Sequence, residues 1–193
     1  MLKKLFKKYL YNKTKSKNKN FFHEYPFGLK PWANEDKYLE IWERAKKKKY
    51  PIIDEYEKKI NFKIEYKWLH NLALHTQVVI KNTEICYQHG RLLYSVLSEY
   101  CLHNNIDELN ILEVGTARGF SALCMAKSLK DNKISGKIIT VDPLPHNIPM
   151  YWNCIDDNYG PQSRKQLLTK YTDLIDNKII FLEGQSKQIL NIL

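Results

Sequence analysis

Apolar residues recur along this chain with two periods, and the changes of period mark its elements. Ile111, Leu112 and Val114 make a short apolar run, the pattern of a parallel strand covered on both faces. Gly115 ends that run. Phe120, Leu123, Cys124 and Ala126 then continue at helical spacing to about Leu129, with no breaker among them. Ile138, Ile139 and Val141 form a second apolar strand that ends in Asp142. A helix is predicted from about Gly160, with Pro161 in its first turn and Leu167, Leu168, Tyr171, Leu174 and Ile175 on one face. Ile179 to Leu182 give a third strand, and Gln185 and Ser186 open a last helix.

Upstream, an aromatic, turn-like segment from Phe21 to Pro31 gives way to a helical period. Asn34 caps a helix that runs to about Lys49 with Tyr38, Ile41, Trp42 and Ala45 inward. Pro51 breaks the chain, a short helix follows near Asp54 to Ile60, and Trp68 to Val79 is another. Asn82 or Thr83 caps the helix carrying Cys86, Leu92, Leu93, Val96, Leu97, Tyr100 and Cys101. The chain thus divides into residues 1–20, a polar and basic tail, residues 21–81, an α-helical extension, and residues 82–193, alternating strands and helices. The predicted fold is α/β: a partial, Rossmann-like parallel sheet with an α-helical N-terminal extension.

The turn between the first strand and its helix carries the chemistry. A helix starting at Gly119 points its unpaired N–H groups at whatever lies above the strand. No Lys-Ser or Lys-Thr pair follows Gly119, so this is not a phosphate-binding P-loop. The dinucleotide fingerprint needs a middle glycine, and Thr116 and Ala117 occupy that part of the loop. Glu113, one residue before the turn, repels a pyrophosphate and suits a ligand bearing a cation and a small carboxylate. S-adenosyl-L-methionine is such a ligand. Asp142, at the tip of the second strand, has the position from which an acid accepts hydrogen bonds from both ribose hydroxyls.

The run Glu113-Val114-Gly115-Thr116-Ala117-Arg118-Gly119-Phe120-Ser121 resembles motif I of class I S-adenosylmethionine-dependent methyltransferases, in the form typical of the small-molecule O-methyltransferase branch. The resemblance runs over residues 85–193. It implies a cofactor site built from Glu113, Gly115, Thr116, Gly119, Ser121, Asp142, Gln185 and Ser186, with Gly184-Gln185-Ser186 against the adenine ring. It implies transfer of a methyl group to a hydroxyl of a small molecule or sugar. It also implies that the helix before the first strand closes over the cofactor, which makes Tyr87, His89 and Gly90 candidate pocket walls. That family's sheet has seven strands, and the acidic motif for a divalent metal and the acceptor lies after the fourth. This chain reaches only the third. The expectation is a truncated chain, or one that a partner chain or self-association completes, with the metal ligands beyond Leu193 and no catalytic base to name. Two other readings share the pattern: a non-catalytic or partner-dependent cofactor-binding fragment, and a nicotinamide-dependent oxidoreductase.

Charge changes this picture little. The formal net charge is +10, but residues 1–20 hold eight lysines and no acid, which leaves 23 basic against 21 acidic residues elsewhere. The folded part is close to neutral, and no nucleic-acid partner is expected. Leu2, Leu5, Phe6, Tyr9 and Leu10 sit at helical spacing among the tail lysines, a pattern suited to weak contact with anionic membrane. Lys46 to Lys49 lie at a helix C-terminus, where cations are favoured. Cys86, Cys101, Cys124 and Cys154 have no metal-site spacing and read as reduced thiols, which together with the lack of a secretory apolar stretch implies a cytoplasmic protein, peripheral at a membrane if the tail engages one. In the proline-rich loop after Asp142, His146 with Asp156 and Asp157 is a candidate set of substrate or metal ligands.

Overall fold

The computed structural model of the chain describes residues 26–191. The fold is α/β, a three-stranded parallel sheet with helices against it and a helical N-terminal extension. The extension comprises α1 (Glu35–Lys47), α2 (Pro51–Ile60) and α3 (Tyr66–Thr76). It is followed by α4 (His89–His103), β1 (Ile111–Val114), α5 (Phe120–Asp131) and β2 (Ile138–Asp142). A 3-10 turn (Ile155–Tyr159), the single-turn helix α6 (Arg164–Leu167), α7 (Thr172–Lys178), β3 (Ile179–Glu183) and a last turn, α8 (Ser186–Ile189), complete the order.

Strand order is β1-β2-β3, all parallel, with Ile111 beside Ile138 beside Ile179 and Glu113 beside Thr140 beside Phe181. These two rows share a face with α5 and α7, which contact each other and lie against the sheet. The core is continuous from the extension to the sheet: Tyr38, Ile41, Leu69 and Leu72 belong to the same buried cluster as Phe120, Leu123, Ile138 and Ile179. A bidentate pair ties α2 to α4, with Arg91 Nε donating to Glu57 Oε1 at 2.9 Å and Nη2 to Oε2 at 2.5 Å, both residues buried. A buried ion pair with both oxygens satisfied holds geometry more than it adds net stability.

The expectation that β1 is covered on both faces is not met. Leu112 and Val114 are 51% and 57% exposed, and Ile180 of β3 is 42% exposed. The crossover helices lie on the opposite face, so among the described residues this face of β1 and β3 is bare, whereas Val141 of β2, the strand that α8 contacts, is buried. An apolar run reads the same whether a second helical layer is present or not.

Other boundaries also differ. Asn34 does cap α1, its Oδ1 accepting the Lys37 amide at 3.1 Å. Pro51, expected to break the chain, instead starts α2, because its fixed φ and missing N–H suit a first turn. The helix before β1 starts at His89 rather than near Asn82 or Thr83. The single helix expected from Gly160 is broken into α6, a 3-10 turn and α7. Its apolar period is unbroken, but Thr169 Oγ1 donates to Gln166 O at 2.8 Å and Thr172 Oγ1 to Thr169 O at 2.7 Å. Such bonds compete with the helical ladder. α6 is set by a capping box, in which Ser163 and Gln166 bond each other's backbone amides. In and after the proline-rich loop, Leu144, Met150, Trp152, Cys154 and Leu167 form a second small core with Phe27 against it.

Candidate functional site

The parallel strands end together. The Gly115 amide donates to Val141 O at 2.8 Å and the Gly184 amide to Asp142 O at 2.9 Å, which sets the three tips side by side. Gly115 has φ +96° and Gly119 φ +85°, left-handed values that favour glycine, and Ala117 between them is also left-handed at +45°. This is how the chain turns from β1 into α5 in five residues. A Cβ built on Gly115 meets nothing within 4 Å, so the space above the end of β1 is open. A Cβ on Gly119 would come 2.9 Å from Leu168 Cδ1, so that side-chain end would have to shift.

Beneath the turn lies a chain of oxygen contacts. Glu113 accepts from the Ser121 hydroxyl through Oε1 and from Thr140 Oγ1 at 2.5 Å through Oε2. Thr140 Oγ1 in turn lies 2.6 Å from Thr116 Oγ1. Thr116 and Thr140 are buried, whereas Glu113 and Ser121 are half-buried and reach the surface. Two residues, Ser121 of α5 and Thr140 of β2, thus fix the Glu113 carboxylate of β1, and Thr116 of the turn supports Thr140.

Asp142 is set differently from expectation. It is 5% exposed, and its oxygens already accept the Ala117 amide at 2.7 Å and the Leu144 amide at 2.6 Å. Arg164 Nη2 lies 3.5 Å from its Oδ1, a contact of charge without hydrogen-bond geometry. Arg164 is itself 2% exposed, donates from Nε to Ala117 O at 2.8 Å, and lies over the rings of Trp152 and Phe181. Burial lowers its pKa, against the raising effect of Asp142. Arg118, from the same turn, reaches under the second core and donates to Trp152 O. Sequence reasoning missed both arginines. The Arg164 contacts span 22 and 47 residues, and no local spacing announces them.

Gln185 is exposed and Ser186 half-buried beside the tip of β3, next to Gly184 at φ +152°. The structure therefore brings Glu113, Gly115, Thr116, Gly119, Ser121, Asp142, Gln185 and Ser186 to one end of the sheet. It does not do so for the other candidates. Tyr87 is 1% exposed and its hydroxyl lies 2.8 Å from His70 Nδ1, so it is a core residue. Gly90 is where α4 meets α5; a Cβ there would come 2.6 Å from Phe120 Cζ. The His89 ring packs edge-on against Phe120, 4.9 Å between centroids. His146, Asp156 and Asp157 do not act together. His146 stacks on Phe181, Asp156 bonds His75 Nδ1 at 2.7 Å, and Asp157 accepts the Trp152 amide at 2.8 Å. Among the described residues no group of three His, Cys, Asp or Glu side chains is placed to hold a metal ion. No described helix is long and apolar enough to cross a membrane. The membrane reading of the tail lies outside the described residues.

No protein-family model matches the chain, and no curated protein matches it in sequence. Among solved structures, one similar in part is the SAH-bound Podospora anserina methyltransferase PaMTH1, at 15% identity and a TM-score of 0.33. That match covers 86% of this chain, and the chain spans 56% of that neighbour's length.

Proposed function

We propose that the strand tips bind S-adenosyl-L-methionine and that the chain serves methyl transfer to a hydroxyl of a small molecule or sugar. The observation that carries this reading is the pairing of an open space over Gly115 with the Glu113 carboxylate fixed below it by Ser121 and Thr140. A phosphate ligand is poorly served by such a carboxylate; a ligand with an ammonium and a sulfonium is well served. The α5 N-terminus offers the ligand's carboxylate its free amides. The site fits with one adjustment. Each Asp142 oxygen keeps a lone pair beyond the bonds it already accepts. Buried as it is, Asp142 meets the ribose only if Arg164 and the Leu144 loop yield. When bound, the cofactor supplies a methyl group already activated by its sulfonium, and the protein's part is orientation. None of the described residues is assigned as the base that deprotonates the acceptor.

A second reading, a cofactor-binding module active only with a partner, is favoured by the bare sheet face at Leu112, Val114 and Ile180. Both readings share the cofactor. A nicotinamide cofactor fits worse, because Thr116 and Ala117 stand where its pyrophosphate needs bare backbone. Thermal unfolding discriminates. S-adenosylhomocysteine in excess should raise the unfolding midpoint, since a ligand at a hundredfold its Kd adds about 2.7 kcal/mol to the folded state. NADH should leave it unchanged. A shift with NADH and none with S-adenosylhomocysteine would reverse the assignment.

A further inference from the structure

A second opening lies away from the strand tips. It is a cleft of about 510 Å³ between the helical extension and the chain that returns after β2. Leu39 of α1, Trp68 and Leu74 of α3, and Ile155 of the first 3-10 turn give it an apolar wall. Tyr171 also lines it and meets the Trp68 ring edge-on, 5.6 Å between centroids. None of the residues gathered at the strand tips takes part. Apolar and aromatic walls with a few convergent polar groups, in a volume of about 300–1,000 Å³, are the ordinary form of a small-molecule site.

The polar groups converge on one imidazole. His75 Nδ1 lies 2.7 Å from Asp156 Oδ2, and Lys170 Nζ lies 3.4 Å from His75 Nε2. An ammonium can only donate, so Nε2 carries the lone pair and Nδ1 the proton that Asp156 accepts. The His75 and Asp156 side chains are 16% and 18% exposed. Lys170 is exposed and, among the described residues, bonds no carboxylate. An anion in the cleft would change this arrangement for a stronger one. Once His75 takes a proton, its Nε2–H and the Lys170 ammonium both donate to the anion, and Asp156 holds the imidazolium from the other side. α3, the first 3-10 turn and the turn after α6 each supply one member of this fork.

The walls limit what the anion can be. Glu35, at the start of α1, lines the cleft together with Asp156. Two carboxylates repel a dianionic phosphate more than a monoanion. The two oxygens of a carboxylate match two donors side by side, and a flat apolar body suits Trp68 and the wall beside it. We propose that this cleft binds a small aromatic monocarboxylic acid, its carboxylate received by Lys170 and a protonated His75 backed by Asp156, and its ring laid against Trp68. The inference is independent of the cofactor reading and stands if S-adenosyl-L-methionine does not bind.

The probe is 2-naphthoate, titrated against the full chain and followed through the amide shifts of two-dimensional NMR. Saturable binding with Kd below about 1 mM is expected, with the largest shifts at Asn71, His75 and Lys170. Lys170→Gln, at an exposed side chain, should weaken binding at least about tenfold, and so should replacing the probe by uncharged 2-naphthamide. Lys58→Gln, at another exposed lysine, on α2, should not. The shifts of the native chain locate the probe even if a variant fails to fold. No binding at about 1 mM overturns the proposal, and that is the result if residues 1–25 of the chain fill the cleft. Equal affinity for the acid and the amide, or an affinity unchanged by Lys170→Gln, also overturns it. So does displacement of the probe by S-adenosylhomocysteine, since the probe then sits at the strand tips.

Discussion

At the residue scale, the side chains that matter most are those whose polar atoms are fixed on both sides. Glu113 is held by Ser121 and Thr140, and Asp142 by two amides and Arg164. The first was legible only as an acid beside the glycine turn; its bonds to Ser121 and, across strands, to Thr140 were not. The second was legible only as an acid at a strand tip. Its lock to Arg164 depends on how the loop after β2 folds back, which no local period encodes. His146 offers a test of that loop. Burial, together with Arg164 and Lys165, depresses its pKa from 6.5 to about 4. The folded state thus resists a proton that the unfolded state accepts below 6.5. The stability His146 contributes is present above pH 6.5 and is lost as pH falls toward 4. Asp157, raised by burial, works in the opposite sense only nearer the carboxylate range. Urea midpoints at pH 7.5 and 5.5 should therefore fall in the native chain and fall less in His146→Asn. Equal slopes in the two proteins would remove His146 from the acid response.

Among elements, the contact of α4 with α5 is the hinge of the helical layer. Gly90 permits it, since any Cβ there would press on Phe120 and, at 2.9 Å, on Cys124 Sγ. Gly90→Ala should destabilise the fold by about 1–3 kcal/mol through overpacking, read as a lower urea midpoint with an unchanged slope. An unchanged midpoint would mean that α4 can move off α5 freely. The elements themselves show where sequence reading works. β1, α5, β2 and β3 follow from period and glycine placement, and α1 from its Asn34 cap. The break between α6 and α7 was invisible, because Leu167, Leu168, Tyr171 and Leu174 keep a helical period across it. At the break two threonine hydroxyls bond the backbone behind them, bonds that compete with the helical ladder.

For the whole molecule, one core joins the N-terminal extension to the sheet, while among the described residues the other face of β1 and β3 is bare. The eight lysines of residues 1–20 lie outside the described residues. Removing residues 1–20 should leave affinity for S-adenosylhomocysteine unchanged. A loss beyond about threefold, roughly 0.7 kcal/mol, would show that the basic segment reaches the site.

The central claim is that the open space over Gly115 is where the cofactor sits, and a matched pair of glycines tests it most directly. Gly115 and Gly160 both have φ +96°, and a Cβ on either meets nothing within 4 Å. Gly115→Ala and Gly160→Ala both place an alanine at a positive φ, where a side chain is strained, but only the first fills the proposed ligand space. Calorimetric titration with S-adenosylhomocysteine should give binding in the native chain and in Gly160→Ala, and binding weakened at least about tenfold in Gly115→Ala. Equal affinity in the two variants, or no binding by the folded native chain at about 1 mM, would contradict the account.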